Sequence, residues 1–170
     1  MVREVSNMGV RNCADLGVNF ITIVRRLLAN DNLVKLLYYT DMDPYSKPNL
    51  TEEEKMKYVY KKLIKFVPRV GPREVETPII SIRMVAGRED ASNNQFKNVS
   101  ISVESFCPLE QWIIKDENLR PFAIMGEIQK SLNGKTIKGL GKMVGGDFDL
   151  QFLTDEISCY EQSFSLTSYD

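Results

Sequence analysis

The chain has 170 residues, with 22 Lys or Arg, 23 Asp or Glu and no His, so its formal net charge is −1. Its size indicates one domain with a sizeable core, and 43% hydrophobic and 26% charged residues are ordinary for a globular protein. The near-zero charge excludes a strongly basic nucleic-acid-binding surface, and the absence of His excludes an imidazole base or metal ligand. Composition therefore favours a binding or assembly protein over an enzyme, although Asp, Glu, Lys, Tyr and Cys chemistry stays open.

The three cysteines, Cys13, Cys107 and Cys159, form no CxxC pair, and their odd number argues against a complete set of disulfides. We expect three reduced thiols in an intracellular protein, each packing as a small apolar residue, with a reactive thiol as the alternative. The first residues lack the apolar core of a signal peptide, and the apolar stretches are far shorter than the ~20 residues of a membrane span. We therefore expect a soluble protein, made without secretion, that has no membrane partner.

The first third of the chain has the periodicity of helices. Six apolar residues spaced by three and four predict an amphipathic helix from about residue 15, and residues 33–39 predict a second helix capped by Asn32. Thr51 and Glu54 have the spacing of a capping box, which predicts a third helix to about residue 60, with residues 61–67 extended. Residues 68–78 contain three prolines and a glycine and predict an exposed loop. The apolar residues of the first helix are Leu16, Phe20, Ile23, Val24, Leu27 and Leu28.

The second half of the chain begins with the two-residue period of strands. Apolar and polar residues alternate over residues 78–86 and again over 99–103, with a polar connection at 87–94. This arrangement predicts a long antiparallel β-hairpin whose second strand ends at Pro108. Pro121 suits the first turn of a helix, which the Asn133-Gly134 pair ends.

Alternation also predicts two closing strands, at 148–152 and 158–168. The order of elements predicts an α+β fold: a mostly antiparallel four-stranded sheet with a long β-hairpin and helices packed on one side. We expect a single domain over residues 1–170, with N-terminal helices in 15–60 and the sheet and last helix in 78–170.

Two glycine-containing segments resemble fragments of nucleotide-binding motifs. Residues 133–136 (Asn-Gly-Lys-Thr) lack the earlier glycine of a phosphate-binding loop, because position 129 is Gln, and they follow a predicted helix instead of a strand. Residues 139–141 (Gly-Leu-Gly) lack the third glycine of a dinucleotide fingerprint, because position 144 is Val. A helix stop and a flexible link explain these segments, so we expect no cofactor.

The carboxylates and the tryptophan have ordinary interpretations beside functional ones. Asp41 and Asp43 precede a proline and favour a turn over a divalent cation site, so we expect no metal. Asp147 and Asp149 favour a solvated strand face over a general acid–base pair, so we expect no catalytic residue.

The apolar residues 112–114 either pack under the sheet or anchor another subunit. A lysine run favours a solvated helix face, with a contact face for a charged partner as the alternative; it comprises Lys55, Lys57, Lys61, Lys62 and Lys65.

The C-terminal half combines a hairpin strand, an Arg-Pro helix, an Asn-Gly-Lys connection and two closing strands. The residues that carry this pattern are Val99–Val103, Trp112, Arg120–Ile128, Leu132–Lys135 and Ile137–Gly141. Over roughly residues 78–170 the pattern resembles the tail terminator (tail completion) proteins of long-tailed bacteriophages.

The resemblance implies a homohexameric ring that caps the finished tail tube in the virion. Such a ring stops polymerisation of the major tail tube protein and offers a surface on which the head-completion or neck protein docks. DNA would pass through the lumen without specific binding, which the near-zero charge permits. Assembly would take place in the cytoplasm of the host bacterium, at the head-proximal end of the tail.

Position along the chain suggests which residues contact other subunits or the tube. These are Arg83, Arg88, Glu89, Trp112 and Arg120, together with the 68–78 loop.

Two other classes of protein stay open. One is a different head–tail connector or neck ring protein, or the minor tail protein of a defective prophage. The other is a small enzyme that uses carboxylate or Tyr chemistry.

Overall fold

Four helices are present in the computed structural model, which describes residues 13–66, 75–90, 95–137 and 141–167. They are α1 (Cys13–Leu28), α2 (Asp31–Tyr38), α3 (Glu52–Glu54, continued by a π-helix over Lys55–Leu63) and α4 (Arg120–Leu132). Single 3-10 turns lie at Pro44–Ser46 and Leu109–Gln111. None of the helices in these ranges is long and apolar enough to cross a membrane.

Eight strands complete the described part of the chain. They are β1 (Ile64–Lys65), β2 (Ile79–Asp90), β3 (Gln95–Pro108), β4 (Ile113–Ile114), β5 (Asn118–Leu119), β6 (Thr136–Ile137), β7 (Gly141–Leu153) and β8 (Ile157–Thr167). Six of them form one curled sheet in the order β1-β2-β3-β8-β7-β6, while β4 and β5 form a separate two-stranded ribbon. Strand β1 is parallel to β2, whereas the other neighbours in the sheet are antiparallel.

The predicted mostly antiparallel four-stranded sheet is therefore wrong, because the sheet has six strands and is mixed. The two additional strands of this sheet, β1 and β6, have two residues each. A segment that short contains no measurable alternation, so its pairing depends on tertiary contacts that a single sequence does not display. The four long strands are the ones that alternation predicts.

The β2–β3 hairpin is longer than the sequence indicates. Strand β2 has 12 residues and β3 has 14, and their pairing extends to Asp90, which lies within the predicted polar connection, and Gln95, which directly follows it. Two register shifts between Met84 and Arg88 mark irregular pairing in this extension. Val85 is exposed. The backbone pairing of β2 and β3 therefore continues beyond the part of the hairpin whose apolar side chains are buried. The alternating apolar pattern ends before the strands end, so it predicts a shorter hairpin.

The main core lies between the helices and one face of the sheet. Residues directly opposite each other on antiparallel strands share a face, so Ile82, Val103 and Gln162 lie together, as do Ile101 and Phe164. Helix α4 contacts β3 and β7, and α1 contacts α2 and α4. The cluster includes Ile23, Val24, Leu27, Leu33, Leu36, Ile80, Ile124, Ile128, Leu132 and Met143.

The helix ends combine confirmed and wrong predictions. Asn30, and not Asn32, caps α2: its side-chain oxygen accepts a hydrogen bond from the Leu33 amide at 3.2 Å. The Thr51–Glu54 capping box is confirmed, and both hydrogen bonds are present. The helix end at Asn133-Gly134 is confirmed as well, because α4 ends at Leu132 and Gly134 has φ of 72°. The error at α2 arises because Asn30-Asp31-Asn32 contains three residues that favour caps.

Candidate interaction surface

Arg120, a predicted contact residue, lies in the interior at the first turn of α4 and is 0% exposed. Its guanidinium donates to five main-chain carbonyls, and the main-chain amide of Arg120 donates to the Trp112 carbonyl at 2.7 Å. Arg120 therefore holds α4, the end of α2 and the turn before β4 together, and its side chain is not available at the surface. The accepting carbonyls belong to Leu36, Tyr39, Thr40, Asp41 and Gln111.

Trp112 lies half-buried, directly after a 3-10 turn. Its indole N–H donates to the Ser158 hydroxyl at 3.1 Å, and its ring lies 6.4 Å from the ring of Tyr160. Ile114 is buried while Ile113 is 62% exposed. The segment thus combines the two interpretations of the sequence, since part of it packs under the sheet and part faces solvent.

Arg83 belongs to a charged cluster on the sheet face opposite the main core. Its Nη2 contacts Glu104 Oε1 and lies 3.6 Å from Glu161 Oε1, while the Ser102 hydroxyl donates to Glu161 Oε1. Glu104 and Glu161 are direct cross-strand partners on β3 and β8. Like charges in this position repel, so the Arg83 guanidinium between them stabilises the pair.

The charged cluster makes stability depend on pH. Burial is the main cause that raises the pKa of Glu104, and Glu161 adds to it while Arg83 opposes it. A carboxyl group whose pKa is raised by folding favours the folded state most below its unfolded pKa of about 4.5. As the pH rises through the folded pKa, that stability is lost.

Replacing Glu104 with Gln removes this titration. We expect the variant to lose less stability than the wild type as the pH is raised from about 4 to about 8, measured as thermal unfolding midpoints. The exposed Glu110→Gln serves as the matched control and should keep the wild-type profile. Identical pH profiles for Glu104→Gln and the wild type would contradict this expectation.

The remaining predicted contacts lie partly outside the described residues. Arg88 and Glu89 pair through the backbone with Lys97 and Phe96 in the β2–β3 hairpin, but their side chains are not among those described. Of the 68–78 loop, residues 67–74 fall outside the described ranges, while Val75, Pro78 and the following Ile79 are buried. Val75 and Ile79 pack in a second, smaller apolar cluster with Phe106, Ile157 and Cys159, so the described end of the predicted exposed loop is buried.

The described residues contain no group of three or more His, Cys, Asp or Glu side chains that would hold a metal ion. Asp43 instead caps the 3-10 turn that begins at Pro44, and its main-chain amide donates to Asp41 Oδ1 at 3.1 Å. Each carboxylate also pairs with a lysine, Asp41 with Lys47 at 3.2 Å and Asp43 with Lys115 at 3.1 Å. The interpretation of this segment as a turn is confirmed.

Cys107 and Cys159 are buried free thiols, as expected, whereas the side chain of Cys13 is not described. Burial raises the pKa of each thiol to about 12. Because the thiolate is the reactive form, burial disfavours reaction of these two side chains in the folded protein.

An exposed apolar surface lies between α4 and the outer part of β7. Phe122 is 41% exposed, Phe148 55% and Leu150 50%. Leu150 is the cross-strand partner of Tyr160, and the ring of Tyr160 lies 5.2 Å from that of Phe122. These three exposed residues, with Tyr160 beneath them, therefore form one continuous surface, which we call the β7 patch.

The β7 patch lies at a sheet edge. Strand β6 pairs only with Gly141 and Lys142, and beyond them Asn133 Oδ1 accepts from the Gly145 amide at 2.9 Å. From Gly146 onward, no described strand pairs with the outer side of β7. A β-bulge between Gly145 and Phe148 shifts the register, and a Cβ on Gly146 would lie 2.6 Å from the Ser163 hydroxyl. The bulge sets which side chains of β7 face the patch.

An apolar groove of about 520 Å³ lies near the opposite edge of the sheet, between α1 and β2. Phe66 is 44% exposed and forms one wall, with its ring 5.6 Å from Phe20 and 6.2 Å from Tyr60. We call this groove between α1 and β2 the α1 groove. Its lining residues are Leu16, Gly17, Phe20, Phe66, Ile82, Arg83 and Met84.

Charged residues stand beside both apolar surfaces in the sequence, but not in the same place in the fold. Asp149 is the cross-strand partner of Glu161, so it lies on the sheet face of the charged cluster, opposite the β7 patch. Lys61 and Lys62 are exposed on the π-helix, and Lys62 Nζ lies 5.6 Å from the centre of the Tyr58 ring.

Sequence reasoning placed Phe148 and Leu150 on one face of a strand but did not identify them as a surface. Alternation indicates that a strand has an apolar face, and it does not show whether the same chain covers that face. The α1 groove likewise depends on the approach of α1 to β2, which are distant in sequence.

The fold is a six-stranded mixed sheet with four helices, and its described surface includes exposed apolar and charged side chains. Residues 30–163, well over half of the chain, match the model of the YomW family, so the chain belongs to the YomW family. This family is phage-associated, from a Bacillus phage region. A search of curated proteins finds no match.

Proposed function

We propose that this protein is a tail terminator that assembles as a ring on the end of a phage tail tube. The phage-associated family supports a role in a phage particle, and the sequence resemblance over residues 78–170 supports the tail. The proposed partners are further copies of the chain, the major tail tube protein and the head-completion or neck protein.

The observation that carries the proposal is the presence of two different exposed apolar surfaces near opposite edges of one sheet. The β7 patch lies beside β7 and the α1 groove beside β2, with β3 and β8 between these strands. Two unlike surfaces on each subunit produce head-to-tail contacts, and such contacts close into a ring when the rotation per subunit allows it.

A ring of this kind ends a polymer by covering its growing surface. Tube subunits add to the exposed end of the tube, and a bound ring of different subunits removes that end from solution. The other face of the ring remains available for the neck protein. DNA passage through the lumen is compatible with a net charge of −1, because a strongly basic lumen would bind phosphates and slow the passage.

The test is polymerisation of the tube protein encoded in the same phage region, with and without this chain. We expect shorter tubes, whose growth stops when this protein is added, with a ring visible at one tube end by electron microscopy. A heat-denatured sample of the protein is the control and should leave tube growth unchanged. Tubes of unchanged length without a bound ring would overturn the proposal, and a ring that binds only the neck protein would favour a connector instead.

A further inference from the structure

We propose that the π-helix that continues α3 binds an acidic peptide segment of a partner protein through its exposed lysines. The contact surface, which we call the lysine face, consists of Lys57, Lys61 and Lys62 with the ring of Tyr58 beside them. None of these residues lines the α1 groove or belongs to the β7 patch, so this inference does not depend on the proposed ring.

The first argument is the π-helix over Lys55–Leu63, which gathers lysines on one side. A π-helix closes its hydrogen bonds between residues five apart, so Lys57 and Lys62 lie about one turn above each other. In an α-helix, with 3.6 residues per turn, residues five apart point in different directions. Lys57 Nζ accordingly lies 5.0 Å and Lys62 Nζ 5.6 Å from the centre of the Tyr58 ring, which itself packs against Tyr38 at 5.7 Å. The π-helix is a rare conformation that often occurs at functional sites.

The second argument is positive charge without a matching negative charge. Lys57, Lys61 and Lys62 are exposed, and none of them forms an ion pair with a carboxylate in the described part of the chain. Lys55, in contrast, is buried and pairs with two carboxylates at 2.8 Å each. The Tyr58 ring attracts the neighbouring ammonium groups and holds them close together. A surface that keeps like charges together in this way is complementary to an anionic partner.

Two features favour the carboxylates of a peptide over the phosphates of a nucleic acid. Two ammonium groups already lie over the Tyr58 ring, so this ring is not a free platform on which a base would stack. The exposed carboxylates of Glu52–Glu54 directly precede the lysines on the same helix and would repel a phosphate backbone that continued along it. The positive surface is therefore short, and it fits a few carboxylates better than a long polyanion.

Fluorescence anisotropy with the full chain at low ionic strength tests the lysine face. The two labelled probes are an oligo-glutamate peptide with blocked ends and a single-stranded oligothymidylate of equal net charge. We expect the peptide to bind more tightly than the oligothymidylate, and the double variant Lys57→Gln, Lys62→Gln to bind the peptide at least about fivefold more weakly than the wild type.

The matched control is Arg25→Gln, Lys135→Gln, which removes the same charge from exposed positions on α1 and after α4. It should keep the peptide affinity within about twofold of the wild type, and both double variants should keep the wild-type unfolding midpoint, because all four side chains are exposed. Equal weakening by the two double variants would indicate a general effect of net charge and overturn the lysine face. Tighter binding of the oligothymidylate would overturn the peptide in favour of a nucleic acid, and binding of neither probe would overturn the proposal altogether.

Discussion

Replacing Arg120 with Met is expected to lower the free energy of unfolding by at least about 3 kcal/mol. The Arg120 guanidinium donates to five main-chain carbonyls in the interior, and Met has no donor to replace it. Each buried acceptor that loses its partner costs about 1–3 kcal/mol, and a domain of this kind has only about 5–15 kcal/mol in total. Equilibrium urea unfolding followed by circular dichroism measures the change.

The matched control for Arg120 is Arg25→Met. Arg25 is exposed on α1, so its replacement should change the free energy of unfolding by less than about 0.5 kcal/mol. Arg120→Lys keeps the charge but lacks the planar fork of donors, and we expect an intermediate loss. Wild-type stability of Arg120→Met would contradict the structural role. An Arg120→Met variant that kept wild-type stability but failed to assemble would instead support Arg120 as a contact residue.

The double variant Phe148→Asp, Leu150→Asp is expected to weaken self-association by at least about 100-fold, or roughly 2.7 kcal/mol. Both side chains lie half-exposed in the β7 patch, so the substitutions should alter the unfolding midpoint little. If the β7 patch is buried between subunits of the proposed ring, the new carboxylates would have to be buried with it, which is costly for a charge without a partner. Sedimentation equilibrium of the full chain measures the association.

Val144→Asp is the matched control for this loss. Val144 is an exposed apolar residue of β7, but it pairs with Ser165 on the other face of the sheet. It should therefore associate as the wild type does. Equal association of the double variant and the wild type would show that the β7 patch is not a contact, and equal weakening by Val144→Asp would indicate a general effect of charge on β7.

The sequence predicts those parts of the fold in which neighbouring residues carry the signal. The apolar stripe of α1, the Thr51–Glu54 capping box and the alternation of the four long strands are local patterns, and each corresponds to an observed element. Strands β1 and β6 escape prediction because two residues have no period. Their pairing with β2 and β7 makes the sheet mixed and six-stranded, in contrast to the predicted sheet.

The candidate contact residues show a different limit of sequence reasoning. Position along the chain suggests Arg120 and Trp112 as contacts, and tryptophan is also common at interface hot spots. The Arg120 side chain instead donates hydrogen bonds to buried main-chain carbonyls that are up to 84 positions away in the sequence. The exposed positions Phe148 and Leu150 look like ordinary core residues of a strand, because alternation is the same whether the covering surface belongs to the same chain or to another one.

Electron microscopy of particles made by the phage with and without this gene tests the tail terminator proposal most directly. We expect that, without the gene, tail tubes grow beyond their normal length and remain unattached to heads, and that supplying the intact chain restores normal tails. Supplying the Phe148→Asp, Leu150→Asp variant should fail to restore them. Tails of normal length joined to heads in the absence of the gene would contradict a tail terminator role.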